Sequence, residues 1–233
     1  MRANGAEDLC FLCAEDQGQA SGEPASPQYQ EKSRPEIKLE RYAEKKEGAG
    51  MKSLNKFHHA FSAPCLTREE VENVIEIGEK QEVEKASILY KDVKNKFSFL
   101  IRRSRVSWLE LGKCRSIYMK VFKAMEEINN EYWGIQFDSL QVAQYTIYGP
   151  LCHYARHIDL GSDAIGCRKI SASVNLTDPS KFVGGRLDVW RGEPSQDLGH
   201  ITVFPAYLLH GVTPVWWGTR RSLVFWATGK PFS

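Results

Sequence analysis

SLQVAQYTIYGPLCHYARHID, residues 139–159, marks the point where the hydrophobic periodicity of the chain changes from about 3.6, typical of a helix, to 2, typical of a strand. From here on the chain consists of short apolar stretches separated by turn signals such as Gly149-Pro150 and Asp178-Pro-Ser. Seven or eight short strands at such spacing predict a β-sandwich or jelly roll. We predict strands at residues 139–148, 154–160, 168–177, 185–190, 199–204, 207–213 and 221–228.

Two helices are predicted before these strands. Thr67-Arg-Glu-Glu70 has the spacing of a capping box, and Leu66 and Val71 are placed for a hydrophobic staple, so we expect a helix over residues 68–82. A second helix is expected over residues 114–130, where apolar residues recur at helical spacing and form one face that should pack on a sheet. That face consists of Ile117, Tyr118, Val121, Phe122, Met125 and Ile128.

The segment between the two helices contains an apolar run that ends in basic residues. Phe97-Ser-Phe-Leu-Ile-Arg-Arg103 favours a strand. Arg102 and Arg103 of this run, together with Arg105, form either a solvent-exposed rim or the lining of a pocket entrance that admits an acidic substrate.

The composition is that of a soluble globular protein. The chain has 233 residues, of which 42% are hydrophobic, enough for one domain with a sizeable core. A net charge of +2 is too small to indicate a nucleic-acid partner. No stretch approaches the roughly 20 apolar residues of a membrane span, and the N-terminus lacks the pattern of a signal peptide. We therefore expect a cytoplasmic protein with no membrane partner, and the sequence leaves the oligomeric state open.

The first fifty residues differ in composition from the rest, being rich in Glu, Lys, Gly, Ser, Pro and Gln, which is typical of a disordered segment. They contain Cys10 and Cys13, a lone C-x-x-C that we interpret as two thiols in a tail, with a metal or redox pair as the alternative. The predicted organisation is a disordered tail at 1–50 and a domain at 51–233, with a barrel core at about 139–231 and supporting helices at about 66–131.

His157, Asp159 and His210 are the candidate metal ligands. Side chains alternate along a strand, so His157 and Asp159 can converge on one point, to which His210 from a later strand adds a second imidazole. Two histidines and one carboxylate leave positions on a metal open for substrate and oxygen. Each residue has an ordinary alternative, either a hydrogen-bonded histidine or an aspartate that caps the turn at Leu160-Gly161. His153 gives an H-x-x-x-H spacing with His157, but its β-like flanks oppose the helix that the zinc-protease motif requires.

Arg220 is the candidate for binding an acidic cosubstrate, since a guanidinium can hold a carboxylate by two parallel hydrogen bonds. Alternation places Arg220 and Ser222 on one face of the strand and Arg221 on the other. We therefore expect Arg220 and Ser222 to contact the same carboxylate, with Arg221 as the alternative.

Six blocks, in their order and spacing, carry a resemblance to a known family. They are Gln144-Tyr-Thr-Ile-Tyr148, Tyr154-Ala-Arg-His-Ile-Asp159, Arg168-Lys-Ile-Ser-Ala-Ser-Val-Asn-Leu-Thr-Asp-Pro179, Val183-Gly-Gly-Arg-Leu-Asp-Val-Trp190, Gly199-His-Ile-Thr-Val-Phe-Pro205 and His210-Gly-Val-Thr-Pro-Val-Trp-Trp-Gly-Thr-Arg220. Over about residues 97–231 the chain resembles the Fe(II)- and 2-oxoglutarate-dependent dioxygenases, specifically the prolyl 4-hydroxylase-like family.

The resemblance implies a fold, a ligand set and a reaction. The fold would be mainly β with packed helices (α+β), a double-stranded β-helix of the jelly-roll or cupin-like type. His157, Asp159 and His210 would ligate Fe(II), Arg220 would bind the distal carboxylate of 2-oxoglutarate, and Tyr148, with Tyr145 as the alternative, would hydrogen-bond the same cosubstrate. O2 would be the oxidant, succinate and CO2 would be released, and ascorbate is a further implied cofactor.

The implied reaction is the hydroxylation of a C–H bond, with a prolyl residue of a peptide or protein as the first expectation and a lysyl residue or a small molecule as alternatives. Two other classes of function remain open. One is a non-enzymatic jelly-roll module that binds a metal, and the other is a zinc hydrolase that uses the same ligands.

Overall fold

The computed structural model describes residues 37–38, 59–85, 98–161 and 166–230, and within these ranges the chain forms fifteen strands and three α-helices. The helices are α1 (Arg68–Glu79), α2 (Ser98–Ile101) and α3 (Arg115–Tyr132). The strands are β1 (Ile37–Lys38), β2 (Phe61–Pro64), β3 (Glu84–Lys85), β4 (Arg102–Arg103), β5 (Arg105–Leu109), β6 (Ser139–Leu140), β7 (Ala143–Tyr148), β8 (His153–His157), β9 (Arg168–Asn175), β10 (Phe182–Gly184), β11 (Leu187–Val189), β12 (His200–Pro205), β13 (His210–Val212), β14 (Val215–Gly218) and β15 (Arg220–Thr228).

The strands form two main antiparallel sheets and one ribbon. The large sheet has the order β2-β12-β9-β15-β7-β5-β3, and β6 joins β15 to β1 at its side. The small sheet has the order β11-β13-β8-β4, and β10 pairs with β14 to form the ribbon. The prediction of a mainly β fold with packed helices is confirmed.

The two faces of the large sheet differ because polar and apolar residues alternate along its central strands. On β9, Ile170, Ala172 and Val174 point to the same side as Leu223 and Phe225 of β15, and this side shares one apolar core with α1 and α3. The opposite side carries polar residues from three adjacent strands. They are Thr146 and Gln144 on β7, Ser222 and Arg220 on β15, and Ser171, Ser173 and Asn175 on β9.

Both predicted long helices are confirmed. Thr67 Oγ1 accepts a hydrogen bond from the Glu70 N–H at 3.3 Å, and the Glu70 carboxylate accepts one from the Thr67 N–H at 2.9 Å, which is the predicted capping box. Leu66 and Val71 are both buried in the main core, as expected for the staple. Helix α1 ends at Glu79, three residues earlier than predicted, and every residue predicted for the apolar face of α3 is buried.

The strand predicted over Phe97–Arg103 is wrong for most of its length. Ser98–Ile101 form one helical turn, and only Arg102 and Arg103 pair as a strand, with Tyr154 and His153 of β8. A short apolar run without alternation does not distinguish a strand from a helical turn.

The strand predicted at 207–213 begins only at His210, because Leu208 N–H donates to Pro205 O and closes a turn. The other predicted strands are present with ends shifted by a few residues, and the first one is split into β6 and β7. The sequence did not predict β2, β5, β10 or β14.

The predictions for the N-terminal region are mostly outside the described residues. This applies to the disordered tail and to Cys10 and Cys13. Of residues 1–50, only Ile37 and Lys38 are described, and they pair with Leu140 and Ser139 of β6. No helix in the described part of the chain is long and apolar enough to cross a membrane.

Candidate metal centre

The register of the small sheet brings the two candidate histidines together. His157, the last residue of β8, lies directly opposite His210, the first residue of β13. Asp159 follows two residues after β8, and its N–H donates to Ala206 O at 2.9 Å, which holds it beside the start of β13. The ligand atoms of His157, Asp159 and His210 all lie within 4.8 Å of one another. Among the described residues, no other group of His, Cys, Asp and Glu is arranged in this way.

Backbone carbonyls fix the tautomer of both histidines. Nδ1 of His157 lies 3.0 Å from Ala155 O, and Nδ1 of His210 lies 2.8 Å from Leu208 O. Because a carbonyl oxygen only accepts, each Nδ1 carries a proton, and Nε2 is the nitrogen that offers a lone pair to a metal when the ring is neutral. These Nε2 atoms face Asp159, at 3.6 Å for His157 and 3.3 Å for His210. Such hydrogen bonds to the far ring nitrogen typically orient metal-bound histidines.

Asp159 is buried and held by donors from the large sheet. Its Oδ2 accepts a hydrogen bond from Ser171 Oγ at 2.6 Å and another from Trp226 Nε1 at 2.8 Å. On the other side, Arg168 Nη1 lies 3.8 Å from Oδ1, while its guanidinium stacks over the Trp226 ring at 3.9 Å. The carboxylate therefore has a fixed orientation toward the two imidazoles.

The charges of this cluster shift its pKa values in opposite directions. Burial by itself raises the pKa of Asp159, but the attraction of His210, the close approach of both imidazoles and the charge of Arg168 outweigh the effect of burial and hold that pKa well below its usual value. Burial lowers the pKa of His210, but Asp159 more than compensates and raises it. Two imidazole nitrogens that have lost their Nε2 protons, together with a carboxylate on the same side of a space, are a ligand set for a divalent metal with open positions.

Arg220 lies on the polar face of the large sheet. It is 4% exposed, stands opposite Tyr148 on β7, and its guanidinium is 5.6 Å from the Tyr148 ring. Within the described part of the chain, its only hydrogen bond is from Nη1 to Ser222 Oγ at 3.2 Å, and no carboxylate pairs with it. Burial lowers the pKa of Arg220. An arginine nonetheless stays protonated in proteins, so the site contains a buried positive charge that no acidic side chain of the described residues neutralises.

Gly185 makes room for the Arg220 side chain. A Cβ at this position would lie 3.3 Å from Arg220 Cδ and 2.7 Å from a methyl carbon of Val215. The backbone there has a φ of +57°, a conformation that glycine adopts without strain.

The two alternative residues, Arg221 and Tyr145, lie on the other face of the sheet. Arg221 Nε donates to Glu79 Oε1 at 2.9 Å, and Tyr145 OH donates to the same oxygen at 3.1 Å. Both therefore contact the end of α1 and not the space that contains Arg220. Tyr148 and Ser222, in contrast, lie on the same face as Arg220.

His153 lies apart from the candidate ligands, since its Nε2 is 2.9 Å from Leu100 O. It belongs to a strand, so the helical zinc-protease interpretation is excluded. Sequence reasoning missed the contacts that Ser171, Trp226 and Arg168 make with Asp159. The alternation Ser171-Ala-Ser173-Val-Asn175 was the available signal, since it places a polar row on one face of a buried strand.

Comparison with known proteins finds sequence similarity to oxygenases and hydroxylases. Residues 140–228 match the model of the 2OG-Fe(II) oxygenase superfamily. A PKHD-type hydroxylase of Cupriavidus metallidurans is 40% identical over 62 residues, which are 25% of this chain and 27% of that protein. The chain thus matches about a quarter of the length of this relative.

Two solved structures share the fold. A Pseudomonas putida prolyl-4-hydroxylase superposes with a TM-score of 0.59 at 19% identity, covering 74% of this chain and 94% of its own. A prolyl hydroxylase from Trichoplax adhaerens, in complex with a peptide fragment of the hypoxia inducible factor oxygen degradation domain, has a TM-score of 0.58 at 14% identity, with 75% and 85% covered. The predicted double-stranded β-helix is confirmed.

Proposed function

We propose that the protein is an Fe(II)- and 2-oxoglutarate-dependent dioxygenase that hydroxylates a C–H bond, because residues 140–228 match the model of the 2OG-Fe(II) oxygenase superfamily. One observation carries the proposal: a largely buried His-Asp-His cluster occurs in the same domain as a buried arginine that has no acidic partner among the described residues. The first suits a divalent metal and the second suits an anionic cosubstrate.

His157, Asp159 and His210 hold Fe(II) in this proposal. The two Nε2 atoms and one carboxylate oxygen would hold the metal through three ligands, a set that leaves room for further ligands. With Fe(II) bound, the site supplies the oxidation chemistry: 2-oxoglutarate, O2 and R–H become succinate, CO2 and R–OH. Ser171 and Trp226 keep the Asp159 carboxylate oriented, and the carbonyls of Ala155 and Leu208 keep the histidine protons on Nδ1.

Arg220 binds the distal carboxylate of 2-oxoglutarate, assisted by Ser222 and Tyr148. A buried cation without a partner is destabilising, and a bound carboxylate removes that cost while gaining charge-assisted hydrogen bonds. Ser222 Oγ already contacts the guanidinium, and Tyr148 OH is a further donor from the opposite strand.

The test is an anaerobic titration with Fe(II) and then 2-oxoglutarate, followed by the visible charge-transfer absorption of a chelated 2-oxo acid. We expect the band in the wild type and its loss in His157→Ala, Asp159→Ala and His210→Ala. Arg220→Ala should raise the 2-oxoglutarate concentration for half-saturation by about tenfold or more, the effect of losing a charge-assisted contact. Arg221→Ala is the matched control and should bind as the wild type does. If folded, iron-loaded protein shows no band, the dioxygenase proposal is wrong.

A peptide or protein prolyl residue is the proposed substrate. The solved relatives are named prolyl hydroxylases, and one of them holds a peptide. Prolyl peptides should increase the consumption of 2-oxoglutarate and gain one oxygen atom by mass spectrometry. The same assay with and without ascorbate tests the prediction that ascorbate supports turnover.

A further inference from the structure

Arg102 is a second arginine at the polar space between the sheets. It lies on β4, at the edge of the small sheet, opposite Tyr154 of β8. Its Nε donates to Ser104 Oγ at 3.0 Å, and its Nη2 donates to Gln144 Oε1 at 2.7 Å. Gln144 belongs to the polar face of the large sheet, where it stands opposite Val224. The guanidinium therefore bridges the two sheets.

The guanidinium is close to the metal centre. It lies over the Tyr154 ring, 4.4 Å from the ring centroid, and the Tyr154 ring stacks on the His157 ring with 3.7 Å between centroids. Taken together, these two distances put the centre of the guanidinium within about 8 Å of the His157 ring. A substrate that binds Arg102 through one group would therefore have other atoms near the metal centre.

Within the described part of the chain, Arg102 has N–H donors without an acceptor and no carboxylate partner. A guanidinium has five N–H donors, and the protein acceptors described here engage two of them. Apart from Arg220, four other arginines of the described chain lie within 4.0 Å of an acidic side chain; they are Arg68 with Asp178, Arg156 with Asp188, Arg168 with Asp159, and Arg221 with Glu79. The remaining arginines, at 103, 105, 115, 186 and 191, are exposed, where water solvates the charge.

Arg102 and Arg220 are therefore alike. Arg220 is buried and Arg102 is partly buried. Both are held by neutral side chains, and neither has a carboxylate within reach in the described part of the chain. A bridge between the sheets needs a donor but no charge, since a neutral amide could also bond Gln144. The charge at Arg102 has a use if its partner is a ligand.

We propose that Arg102 is a specificity-determining residue that binds a carboxylate of the substrate to be oxidised. The proposal rests on the proposed function, because it assigns a second anion to a site whose first anion is 2-oxoglutarate. The carboxylate belongs either to an acidic side chain beside the target residue of a peptide or to a small acid.

The test uses the full chain loaded with Zn(II), as a redox-inert metal, and saturating 2-oxoglutarate, which keeps Arg220 occupied. Calorimetry or NMR then measures the binding of N-acetyl-L-proline and of its neutral amide, N-acetyl-L-prolinamide. N-acetyl-glutamyl-prolinamide and its glutaminyl counterpart form a second pair, which distinguishes an acidic side chain from a terminal carboxylate. We expect at least one acid to bind about tenfold or more tightly than its neutral counterpart.

Variants identify the residue responsible. Arg102→Gln should abolish the preference for the acid, Arg102→Lys should restore part of it, and Arg103→Gln, the exposed neighbour on the same strand, should keep it. Equal binding of acids and neutral counterparts to the wild type overturns the proposal, as does a preference that persists in Arg102→Gln. So does a fall in 2-oxoglutarate affinity in Arg102→Gln, since the residue would then belong to the cosubstrate site. Failure of the proposed function has a different signature, the missing Fe(II)–2-oxoglutarate absorption band.

Discussion

Asp159 depends on two donors from the large sheet, and removing one tests the arrangement of the centre. Ser171→Ala deletes the 2.6 Å hydrogen bond to Oδ2 and leaves Trp226 Nε1 as the remaining donor to that oxygen, so the carboxylate is held less firmly. Residues that orient a metal ligand typically contribute 10- to 100-fold to metal affinity. We therefore expect the Kd for Mn(II), measured by titration, to be about tenfold larger in Ser171→Ala. Ser173→Ala is the matched control, because Ser173 is buried on the same face without a bond to Asp159. Equal losses in both variants would contradict a specific role for Ser171.

The protonation of His210 makes metal binding depend on pH. The folded-state pKa of His210 is raised above 6.5, so its interaction with Asp159 stabilises the metal-free protein fully below pH 6.5 and is lost as the pH rises through the raised value. The pKa of Asp159 is lowered, so its contribution is full above pH 3.8 and is lost as the pH falls through the lowered value. A metal must displace the His210 proton. We therefore expect the rise in Tm caused by Mn(II) to be larger at about pH 8 than at about pH 6. An Mn(II)-induced rise in Tm that is the same at both pH values would contradict this expectation.

At the scale of single residues, the sequence predicted those whose positions follow from alternation. His157 with Asp159, and Arg220 with Ser222, are two apart and share a face as expected. The partners of these residues come from distant positions, such as Trp226 for Asp159 and Gln144 for Arg102. Such pairs depend on how two sheets face each other, which local periodicity does not encode.

Helix α1 is fitted to the sheet through a glycine. A Cβ on Gly78 would lie 2.7 Å from Cγ of the Tyr145 ring. Tyr145 is fully buried, and its hydroxyl donates a hydrogen bond to Glu79. Gly78→Ala gains about 1 kcal/mol of helix propensity, but overpacking a core contact costs about 1–3 kcal/mol. We therefore expect Gly78→Ala to have a smaller free energy of unfolding than the wild type, measured by urea denaturation. The control is Gly112→Ala, where no atom lies within 4 Å of the added Cβ. A more stable Gly78→Ala protein would show that Tyr145 can move.

At the scale of elements, long periodic segments were predictable and short ones were not. Helix α3 has seven buried residues at helical spacing, and this periodicity can be read from the sequence of the helix without knowledge of the elements that pack against it. Strands β10 and β14 have only three and four residues, and they exist because they pair with each other. The turn at Ser98–Ile101 is similar, since four residues cannot establish a period.

For the whole molecule, the stable core and the candidate site lie on opposite sides of the large sheet. The main core joins α1, α3 and one face of that sheet, whereas the clusters around the small sheet contain only three buried residues each. The small sheet nevertheless carries His157 and His210. Regions with few buried apolar contacts open locally at low free-energy cost. A metal bound at the proposed site would therefore connect the small sheet to the large sheet through Asp159 and its donors.

Hydrogen exchange tests this division. A ligand that binds only the closed form protects the region whose opening would destroy its site. Adding Mn(II) should slow amide exchange in His153–His157 and His210–Val212 by about tenfold or more, and leave Arg115–Tyr132 unchanged, because α3 packs on the far side of the large sheet. The control is His210→Ala, in which Mn(II) should have no effect on exchange. Equal protection of α3, or protection that persists in His210→Ala, would mean that the metal binds elsewhere or that the molecule opens as a single unit.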